Sequence, residues 1–478
     1  MTRFAPNPDF VLHLGSIRAV ILSHDYAKKY AGRFLLRFED TDPRLKRSSL
    51  EYYDAIREDL RWLGCPWDGE IIQSDRFQIY YETAEKLLGQ GDCYVCTCER
   101  EQFHQLMTAG QACPCRVKSP ASNLHDWQRM LNGELGEGQA VVRVKTDIAH
   151  PNPAVRDWPA LRVIDPAAYP HPRVGAKYRV WPLYNFSAGI DDHLMSVTHI
   201  IRGKEHLTNA LRQSYLYKHL GWEYPEAIHY GRLRTVGFSL SKSFMVKELE
   251  EGKVEGYSDP RLPTLSALRR RGYSPNSLRR IVYEMGPRPV DATLSWDNIN
   301  ATDRKEIDKI AHRYSFVPNP LLLEVTNVPR DYEAHLPLHP ERPELGTRIL
   351  KVSAKEGTVH LWLSAKDQAA FEKSKVVRLM ELFNVELSNA GPAGIRAEYH
   401  SQEYAEAKKL RAPLVQWLPE SQHLPFEAVM PDATRLKGLV ETNVLVEPVG
   451  SIVQMVRIGF ARIDSKDESM IIVYFSHK

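Results

Sequence analysis

The first 90 residues alternate short apolar runs with helical patterns, and this alternation constrains the fold of the 478-residue chain most strongly. An apolar run at residues 2–5 ends at Pro6, a helical pattern with Ser16 as its N-cap covers residues 17–30, and a second apolar run covers residues 33–38. Apolar residues three or four apart predict another helix over residues 50–63. Strands that alternate with helices in this way indicate a parallel sheet covered by helices.

The composition is that of a globular protein, with 43% hydrophobic and 26% charged residues. The sequence contains no run of about 18 apolar residues that could cross a membrane. Its first residues lack the pattern of a secretory signal, so we expect a cytoplasmic protein without a membrane partner. Lys and Arg total 63 against 60 for Asp and Glu. Because a balanced total can conceal a basic face, the charge neither favours nor excludes nucleic acid.

Changes of texture divide the remainder of the chain. Residues 93–182 are irregular and rich in Pro and Gly, which indicates an inserted module, and residues 183–256 return to alternating strands and helices. Residues 257–315 are predicted to be helical and contain many arginines. From residue 316 to 478, short alternating segments between Gly and Pro turns favour antiparallel barrels or sandwiches. The expected domains are therefore an α/β domain in two halves (1–92 and 183–256), the insert (93–182), a helical region (257–315) and two β-barrels (316–478).

Five of the six cysteines fall within residues 93–115. A disulfide scaffold would distribute its cysteines along the chain, whereas clustering favours thiolates that hold a metal in a reducing compartment. Two C-x-C pairs supply four thiolates, which suit a closed, structural tetrahedral Zn²⁺ site: Cys96, Cys98, Cys113 and Cys115. Cys93 and His104 are possible substitutes, and unligated thiols are the alternative.

Two short segments are suited to phosphate binding. His13, Gly15 and Ser16 stand at a helix start, where free N–H groups and a partial positive charge favour an anion. Lys242 lies in a loop of small hydroxyl residues and can neutralise charge on a transferring phosphate. Taken singly, the first segment can also be an ordinary helix cap and the second a solvated loop.

Together, and in this order, the two segments resemble the signature pair of class I aminoacyl-tRNA synthetases. Residues 13–16 resemble the HIGH element and residues 239–243 resemble KMSKS. Residues 2–6, 36–42, 184–186 and 259–264 resemble the glutamyl/glutaminyl branch, in particular the archaeal-type glutamyl-tRNA synthetases. Ser16 and Ser239 depart from the signatures, at positions that vary in this branch. Relatives usually carry a helical domain before the first strand, so we expect that it is naturally missing or was trimmed.

The resemblance implies a Rossmann-type α/β catalytic domain, an inserted zinc-containing acceptor-binding module, a helical stem-contact region and C-terminal all-β anticodon-binding barrels. It also implies two sets of site residues. The ATP set, with Mg²⁺, is His13, Gly15, Ser16, Ser241 and Lys242, of which His13 and Lys242 are catalytic. The glutamate set is Arg3, Glu39, Tyr184 and Arg202, which supplies cations for two carboxylates, an anion for the ammonium and an orienting hydroxyl.

Arg202 favours glutamate over glutamine as the amino acid. Glutaminyl relatives usually have a small uncharged residue there, and bound glutamine would leave the Arg202 charge poorly paired at a cost of about 3–5 kcal/mol. The expected function is ATP-dependent attachment of L-glutamate to tRNA-Glu, and by resemblance also to tRNA-Gln, by a monomer. A glutaminyl-tRNA synthetase and a catalytically inactive tRNA-binding paralogue are the alternatives.

Several cations and one aromatic residue are expected to contact tRNA. Because unstacked bases need guanidinium or aromatic planes and edge hydrogen bonds, the resemblance favours two groups near the stem and the anticodon. A solvated charged face is the alternative. The residues are Arg269, Arg270 and Arg271 in the first group, and Lys408, Lys409, Arg411, Gln416 and Trp417 in the second.

Overall fold

The computed structural model describes residues 1–391 and 394–478 and contains two compact units. The first unit comprises Met1–Phe244 and Leu278–Ser295, and the second comprises Met245–Ser277 and Trp296–Lys478. This division cuts across the predicted helical region 257–315, part of which belongs to each unit. Among the helices of the described residues, none combines the length and apolar character that crossing a membrane requires.

Parallel strands with intervening helices form the beginning of the first unit, as the sequence predicts. The strands pair in the order β1-β2-β3, with Arg3 of β1 opposite Leu35 of β2. The elements are β1 (Thr2–Phe4), α1 (Ile17–Lys29), β2 (Phe34–Phe38), α2 (Leu50–Trp62), β3 (Gly69–Ile72) and α3 (Phe77–Gln90). Each helix turns apolar residues toward a buried core, so the spacing of apolar residues determines which face is covered.

The insert is more regular than the sequence indicates. Its strands form one antiparallel sheet in the order β4-β5-β6-β7, and its core contains the fully buried Trp127 and Trp158. The strands are only three to five residues long and are separated by long loops, which conceal their alternation in the sequence. The elements are β4 (Cys93–Cys96), α4 (Arg100–Ala109), α5 (Pro120–Asn132), β5 (Val141–Val144), β6 (Pro159–Val163) and β7 (Val180–Pro182).

Residues 184–295 return to the parallel pattern. Strand β8 pairs in parallel with β9, and backbone hydrogen bonds from Thr198 and His199 to Met1 place the start of β8 beside β1. Strands β10 and β11 form a second parallel pair. The elements are α6 (Tyr184–Leu194), β8 (His199–Gly203), α7 (Leu207–Leu220), β9 (Glu226–Tyr230), β10 (Leu233–Val236), α8 (Lys242–Glu250), α9 (Leu265–Arg271), α10 (Pro275–Met285) and β11 (Ala292–Ser295).

The remainder of the second unit is mostly strands, as its turn-rich sequence predicts. A helix precedes them, and two short helices lie between them. The elements are α11 (Trp296–Ile307), β12 (His312–Tyr314), β13 (Phe316–Pro318), β14 (Pro320–Thr326), β15 (Tyr332–Pro337), β16 (Thr347–Val352), β17 (Val359–Ser364), α12 (Gln368–Lys373), β18 (Val376–Leu379), β19 (Asn384–Gly391), β20 (Gly394–Ser401), α13 (Tyr404–Leu410), β21 (Leu414–Val415), β22 (Trp417–Pro419), β23 (His423–Val429), β24 (Arg435–Glu441), β25 (Ile452–Met455), β26 (Gly459–Lys466) and β27 (Ile471–Phe475).

These strands build two barrel-like sheets of seven strands and one hairpin, β15-β16. One sheet has the order β21-β18-β19-β20-β14-β17-β22, and the other has the order β12-β25-β26-β27-β23-β24-β13. Each sheet has a separate apolar core. Four strand pairs are parallel, including β12-β25 and β14-β20, whereas the sequence predicted antiparallel pairing. Alternation of apolar residues shows which face is buried but carries no information on strand direction.

Candidate active site

The predicted amino-acid pocket lies where parallel strands of the first unit end. Arg3 is in β1, Glu39 directly follows β2, Arg202 is near the end of β8, and Tyr184 is the first residue of α6. Charges on Glu39, Arg202 and Arg3 all act on the Tyr184 hydroxyl, whose pKa is raised chiefly by burial. The fold therefore brings the four residues into one site at the carboxyl edge of the strands, where α/β proteins bind ligands.

A buried network surrounds Arg3. Asp192, near the end of α6, accepts hydrogen bonds from Arg3 Nε at 2.9 Å and from Arg37 Nη1 at 2.7 Å. Arg37 Nη2 also donates to Glu39 Oε1 at 2.8 Å. Burial opposes ionisation of Asp192, but the two guanidiniums prevail and lower its pKa to about 2. Arg3 is thus already paired with a carboxylate before any substrate binds.

Arg202 has different partners. Its Nη1 donates to the Tyr184 hydroxyl at 3.3 Å, and its Nη2 donates to the Tyr224 hydroxyl at 3.0 Å and to Gln213 Oε1 at 3.2 Å. All three partners are neutral, and within residues 1–391 and 394–478 the guanidinium makes no ion pair. Burial opposes its charge, yet Tyr184, Tyr224 and Asp192 raise its pKa. Its Nε, although buried, has no hydrogen-bond partner among the described residues.

The HIGH-like segment forms the turn into α1. The backbone N–H of Gly15 donates to His13 Nδ1 at 3.0 Å, so the proton of the neutral ring is on Nε2. Burial lowers the pKa of His13 to about 4, which keeps the ring neutral at physiological pH. A Cβ at position 15 would lie 2.6 Å from His13 Cε1, and only glycine permits this ring position. Ser16 is the N-cap residue, and in the described structure its hydroxyl makes no capping hydrogen bond.

The KMSKS-like segment begins α8 and lies near the first-strand loop. Lys242 Nζ is 2.6 Å from Asp9 Oδ2. Ser241 Oγ accepts a hydrogen bond from Phe244 N at 3.3 Å and thereby caps the first turn of the helix. Leu240 Cδ1 would be 3.5 Å from a Cβ placed on Gly15. The two signature-like segments are therefore neighbours in the first unit.

A cleft of about 280 Å³ adjoins the pocket. Glu39 and Tyr184 line it, together with Asn7 of the first-strand loop. Lys46 and Arg212 add two cations to its wall. Because Asp42 and Glu39 also line it, the cleft extends the amino-acid pocket along a wall of balanced charge.

The four predicted cysteine ligands converge in the insert. Their sulfur atoms all lie within 4.8 Å of one another, with 3.9 Å between Cys96 and Cys113 and 3.8 Å between Cys98 and Cys115. Four sulfurs at about 2.3 Å from a tetrahedral Zn²⁺ are separated by about 3.8 Å. A hydrogen bond from Cys96 lowers the pKa of Cys113 to about 5, and the same bond raises the pKa of Cys96. The chemistry and spacing of the cluster fit a closed metal site.

Polar groups outside the four sulfurs hold the cluster in place. Thr97 N donates to Cys115 Sγ at 3.5 Å, and the Tyr94 hydroxyl lies 3.4 Å from Cys113 Sγ. The same hydroxyl donates to Asp157 at 2.9 Å, and Arg116 pairs with that carboxylate. These contacts link the loops around the sulfurs to the antiparallel sheet, as is usual around structural metal sites.

The predicted RNA-contacting arginines of α9 are largely engaged within the second unit. Arg271 is buried and donates to the backbone oxygens of Phe475 and Ser476. Arg270 pairs with Asp464 at 2.9 Å and lies over the ring of Tyr474. Arg269 and Arg270 are each partly exposed. Burial removes Arg271 from any surface that RNA can reach, which differs from the expectation for this run.

The second group of predicted RNA-contacting residues contains both buried and exposed side chains. Gln416 and Trp417 are buried, and the indole of Trp417 donates to Met380 O at 2.8 Å, so neither offers a plane for base stacking. Lys408, Lys409 and Arg411 are exposed at the end of α13. Burial of the first two corrects the expectation that they contact RNA, while the three cations remain accessible.

The structure adds site residues that sequence reasoning missed. Arg37 carried a signal, because it is the one charged residue in an otherwise apolar strand, whereas Asp192 lies beside Asp191 in a helix with several polar residues. Asp9, Gln213 and Tyr224 lie in polar or amphipathic segments that resemble many others. Their roles depend on contacts between distant segments, which no local pattern reports.

Comparisons with known proteins identify the family of the chain. Residues 1–309 match the family model described as tRNA synthetases class I (E and Q), catalytic domain, and residues 311–400 match the corresponding anti-codon binding domain. Proteins named glutamate–tRNA ligase from Pyrococcus furiosus and Thermococcus kodakarensis are each 49% identical over 481 residues, covering 100% of this chain and 82% of the relative. A solved glutamate tRNA ligase from Elizabethkingia meningosepticum, in complex with its amino acid, has 20% identity and a TM-score of 0.47 over 65% of this chain and 70% of that chain.

The two matched domains are those of a class I aminoacyl-tRNA synthetase. Within that class, the chain belongs to the glutamyl and glutaminyl family, to which its archaeal relatives also belong. This confirms the resemblance on which the sequence analysis relied.

Proposed function

We propose that the protein is an ATP-dependent glutamate–tRNA ligase. The observation that carries the proposal is Arg202, a buried cation whose described partners are all neutral. The ion-paired network of Arg3, Arg37, Glu39 and Asp192 has no net charge, so the unpaired Arg202 leaves the pocket with one excess positive charge. Glutamate has one net negative charge at neutral pH and glutamine has none. The names of the archaeal relatives support the same substrate.

Glutamine is a weaker substrate for electrostatic reasons. Its amide would accept hydrogen bonds from Arg202 but would leave the buried charge without a counterion. The cost of about 3–5 kcal/mol corresponds to a discrimination of roughly a hundred- to a few-thousand-fold. The charge of the pocket therefore favours glutamate over the substrate of the glutaminyl enzymes.

The proposed first step forms glutamyl-adenylate. An oxygen of the glutamate α-carboxylate attacks the α-phosphorus of ATP in line, and the bond to the β-phosphate oxygen breaks, so that pyrophosphate leaves with the electron pair. The neutral His13 ring donates its Nε2 proton in a hydrogen bond to a phosphate oxygen, together with the N–H groups at the start of α1. Lys242 leaves Asp9 and neutralises the charge that develops. Bound Mg²⁺ supplies further charge neutralisation.

In the second step the glutamyl group passes to tRNA. The 2′-hydroxyl of the terminal adenosine attacks the acyl carbon and AMP leaves, so no covalent enzyme intermediate is required. Positioning and electrostatics supply the catalysis. The presence of the pocket, Lys242 and an ordered HIGH-like turn argues against a catalytically inactive paralogue.

We assign the remaining parts of the chain to tRNA binding. The Rossmann-type strands hold the active site, and the insert, with zinc on its four cysteines, receives the acceptor end. The exposed cations of α13 support anticodon contact by the C-terminal sheets. The archaeal-type pattern favours charging of both tRNA-Glu and tRNA-Gln by a monomer.

Aminoacylation assays test the proposal directly. Labelled glutamate or glutamine is supplied with ATP and with transcripts of tRNA-Glu or tRNA-Gln. Glutamate on both tRNAs supports a non-discriminating enzyme, and glutamate on tRNA-Glu alone supports a discriminating one. Glutamine transfer would contradict the role of Arg202. Absence of transfer, combined with absence of ATP binding in calorimetry, would favour the inactive paralogue.

A further inference from the structure

Gln213 and Tyr224 form a neutral clamp on Arg202. Gln213, on α7, is fully buried, and its Oε1 accepts hydrogen bonds from both Arg202 Nη2 at 3.2 Å and the Tyr224 hydroxyl at 2.8 Å. The Tyr224 hydroxyl in turn accepts from the same Arg202 nitrogen at 3.0 Å. The three groups thus form a closed hydrogen-bonded ring, which fixes the guanidinium without neutralising it.

The nitrogen end of the Gln213 amide contributes no hydrogen bond of its own. Gln213 Nε2 is buried and lacks a partner in the part of the chain that the structure describes. A glutamate side chain has the same shape, would keep both bonds to the oxygen and would avoid this unpaired donor. What the amide offers, in comparison with a carboxylate, is the absence of charge.

The neighbouring arginines show the contrasting solution. Arg3 and Arg37 share the buried carboxylate of Asp192, and Arg37 also pairs with Glu39, so two carboxylates balance these two cations inside the protein. Arg202 is also buried, but among the described residues its hydrogen-bond partners are the neutral Gln213 and two tyrosine hydroxyls. The site therefore holds Arg3 and Arg37 with carboxylates and Arg202 with neutral groups.

We propose that Gln213, assisted by Tyr224, is a positioning residue that sets the preference for glutamate over glutamine by keeping the Arg202 charge available to the substrate. The inference rests on the proposed ligase function. It makes selectivity depend on a residue that acts through Arg202. A carboxylate at position 213 would supply the counterion that the substrate's side chain otherwise brings.

The test compares Gln213→Glu with Gln213→Met in the full-length protein. Aminoacylation of tRNA-Glu is measured with glutamate and with glutamine. We expect Gln213→Glu to raise KM for glutamate by about 100-fold, to leave kcat within about 3-fold, and to lower the glutamate-to-glutamine ratio of kcat/KM by about 100-fold. Gln213→Met removes the acceptor without adding charge, so KM should rise less than about 10-fold and the ratio should be retained.

The outcomes separate this inference from the proposed function. Wild-type protein that does not attach glutamate to tRNA would refute the proposed function itself. If the wild type is active, two results would overturn the role of Gln213. The first is a glutamate-to-glutamine ratio of kcat/KM that does not change in Gln213→Glu. The second is a ratio that falls equally in Gln213→Glu and Gln213→Met. Unfolding temperature and tRNA affinity serve as folding controls.

If Gln213→Glu does not fold, Tyr224→Phe tests the same clamp on Arg202. This variant removes the hydroxyl that contacts both Arg202 and Gln213. We expect a rise in KM for glutamate of about 5- to 10-fold with kcat unchanged. An unchanged KM would overturn the clamp.

Discussion

Asp192 accepts hydrogen bonds from the buried guanidiniums of both Arg3 and Arg37, and Asp192→Asn removes its charge while preserving its shape. The two arginines lower the pKa of Asp192 from 3.8 to about 2, although burial acts in the opposite direction. At about 1.36 kcal/mol per pKa unit, this lowering corresponds to roughly 2–3 kcal/mol. Because the variant also leaves two buried cations without that counterion, we expect a destabilisation of about 3–5 kcal/mol.

Thermal unfolding at pH 7 measures this effect, with hydrogen exchange in β1 and β2 as a readout of the first unit. We expect the unfolding temperature of Asp192→Asn to fall by at least about 5 °C. Asp68→Asn is the matched control, since Asp68 is on the same unit but its side chain is 35% exposed in its pair with Lys28. This control should lose less than about 1 kcal/mol. Equal unfolding temperatures for the two variants would refute the reasoning.

The pH dependence of unfolding independently tests whether the ionised Asp192 stabilises the folded protein. The folded pKa of Asp192 is depressed, so its contribution to the free energy of unfolding is fully present above pH 3.8. That contribution decreases as the pH falls from 3.8 toward about 2. The difference in stability between wild type and Asp192→Asn should therefore be constant near neutral pH and should narrow below about pH 4. A difference that widens in acid would contradict the assignment.

Three further substitutions test the other parts of the site. Lys242→Ala should lower glutamate activation, measured by ATP–pyrophosphate exchange with tRNA present, far more than it lowers tRNA affinity, and equal losses would contradict the phosphate role. Asp9→Asn frees Lys242 from a partly exposed pair, so KM for ATP should fall by up to about 5-fold, and a rise would contradict the competition between Asp9 and phosphate. Zinc-edge X-ray absorption should report four sulfurs at about 2.3–2.4 Å, and Cys113→Ser should lower the zinc content, whereas a nitrogen-rich shell would exclude the four-cysteine site.

The fold of the first 90 residues follows closely from local sequence. The helices end near the predicted boundaries because apolar spacing and caps are local signals, and α1 begins directly after the predicted N-cap Ser16. The four-stranded sheet of the insert was not predicted, since its short strands pair across intervening segments of up to 44 residues, such as the one between Cys96 and Val141 that contains α4 and α5. Pairing at that distance depends on tertiary packing.

In the candidate site, too, the residues were predictable from sequence, but their long-range contacts were not. Arg3, Glu39, Tyr184 and Arg202 were identified through resemblance, and the parallel strands bring them together. Their electrostatic states were not accessible from sequence, because Asp192 neutralises Arg3 from a position 189 residues away. The same limit explains Arg271, whose burial against the last strand could not be deduced from a run of three arginines.

The strand order of the second unit has a consequence for folding during synthesis. The sheet that contains β12 and β13 takes its other five strands from residues 423–475, and residue 312 pairs with residue 453. All strands of the other sheet lie between residues 320 and 419. A ribosome therefore releases β12 and β13 first and then all strands of the intervening sheet. The partners of β12 and β13 are synthesised only after that sheet is complete. Because long-range pairing is slow, the intervening sheet should fold first, and the two early strands should remain exposed to chaperones and to misassembly until β24 and β25 emerge.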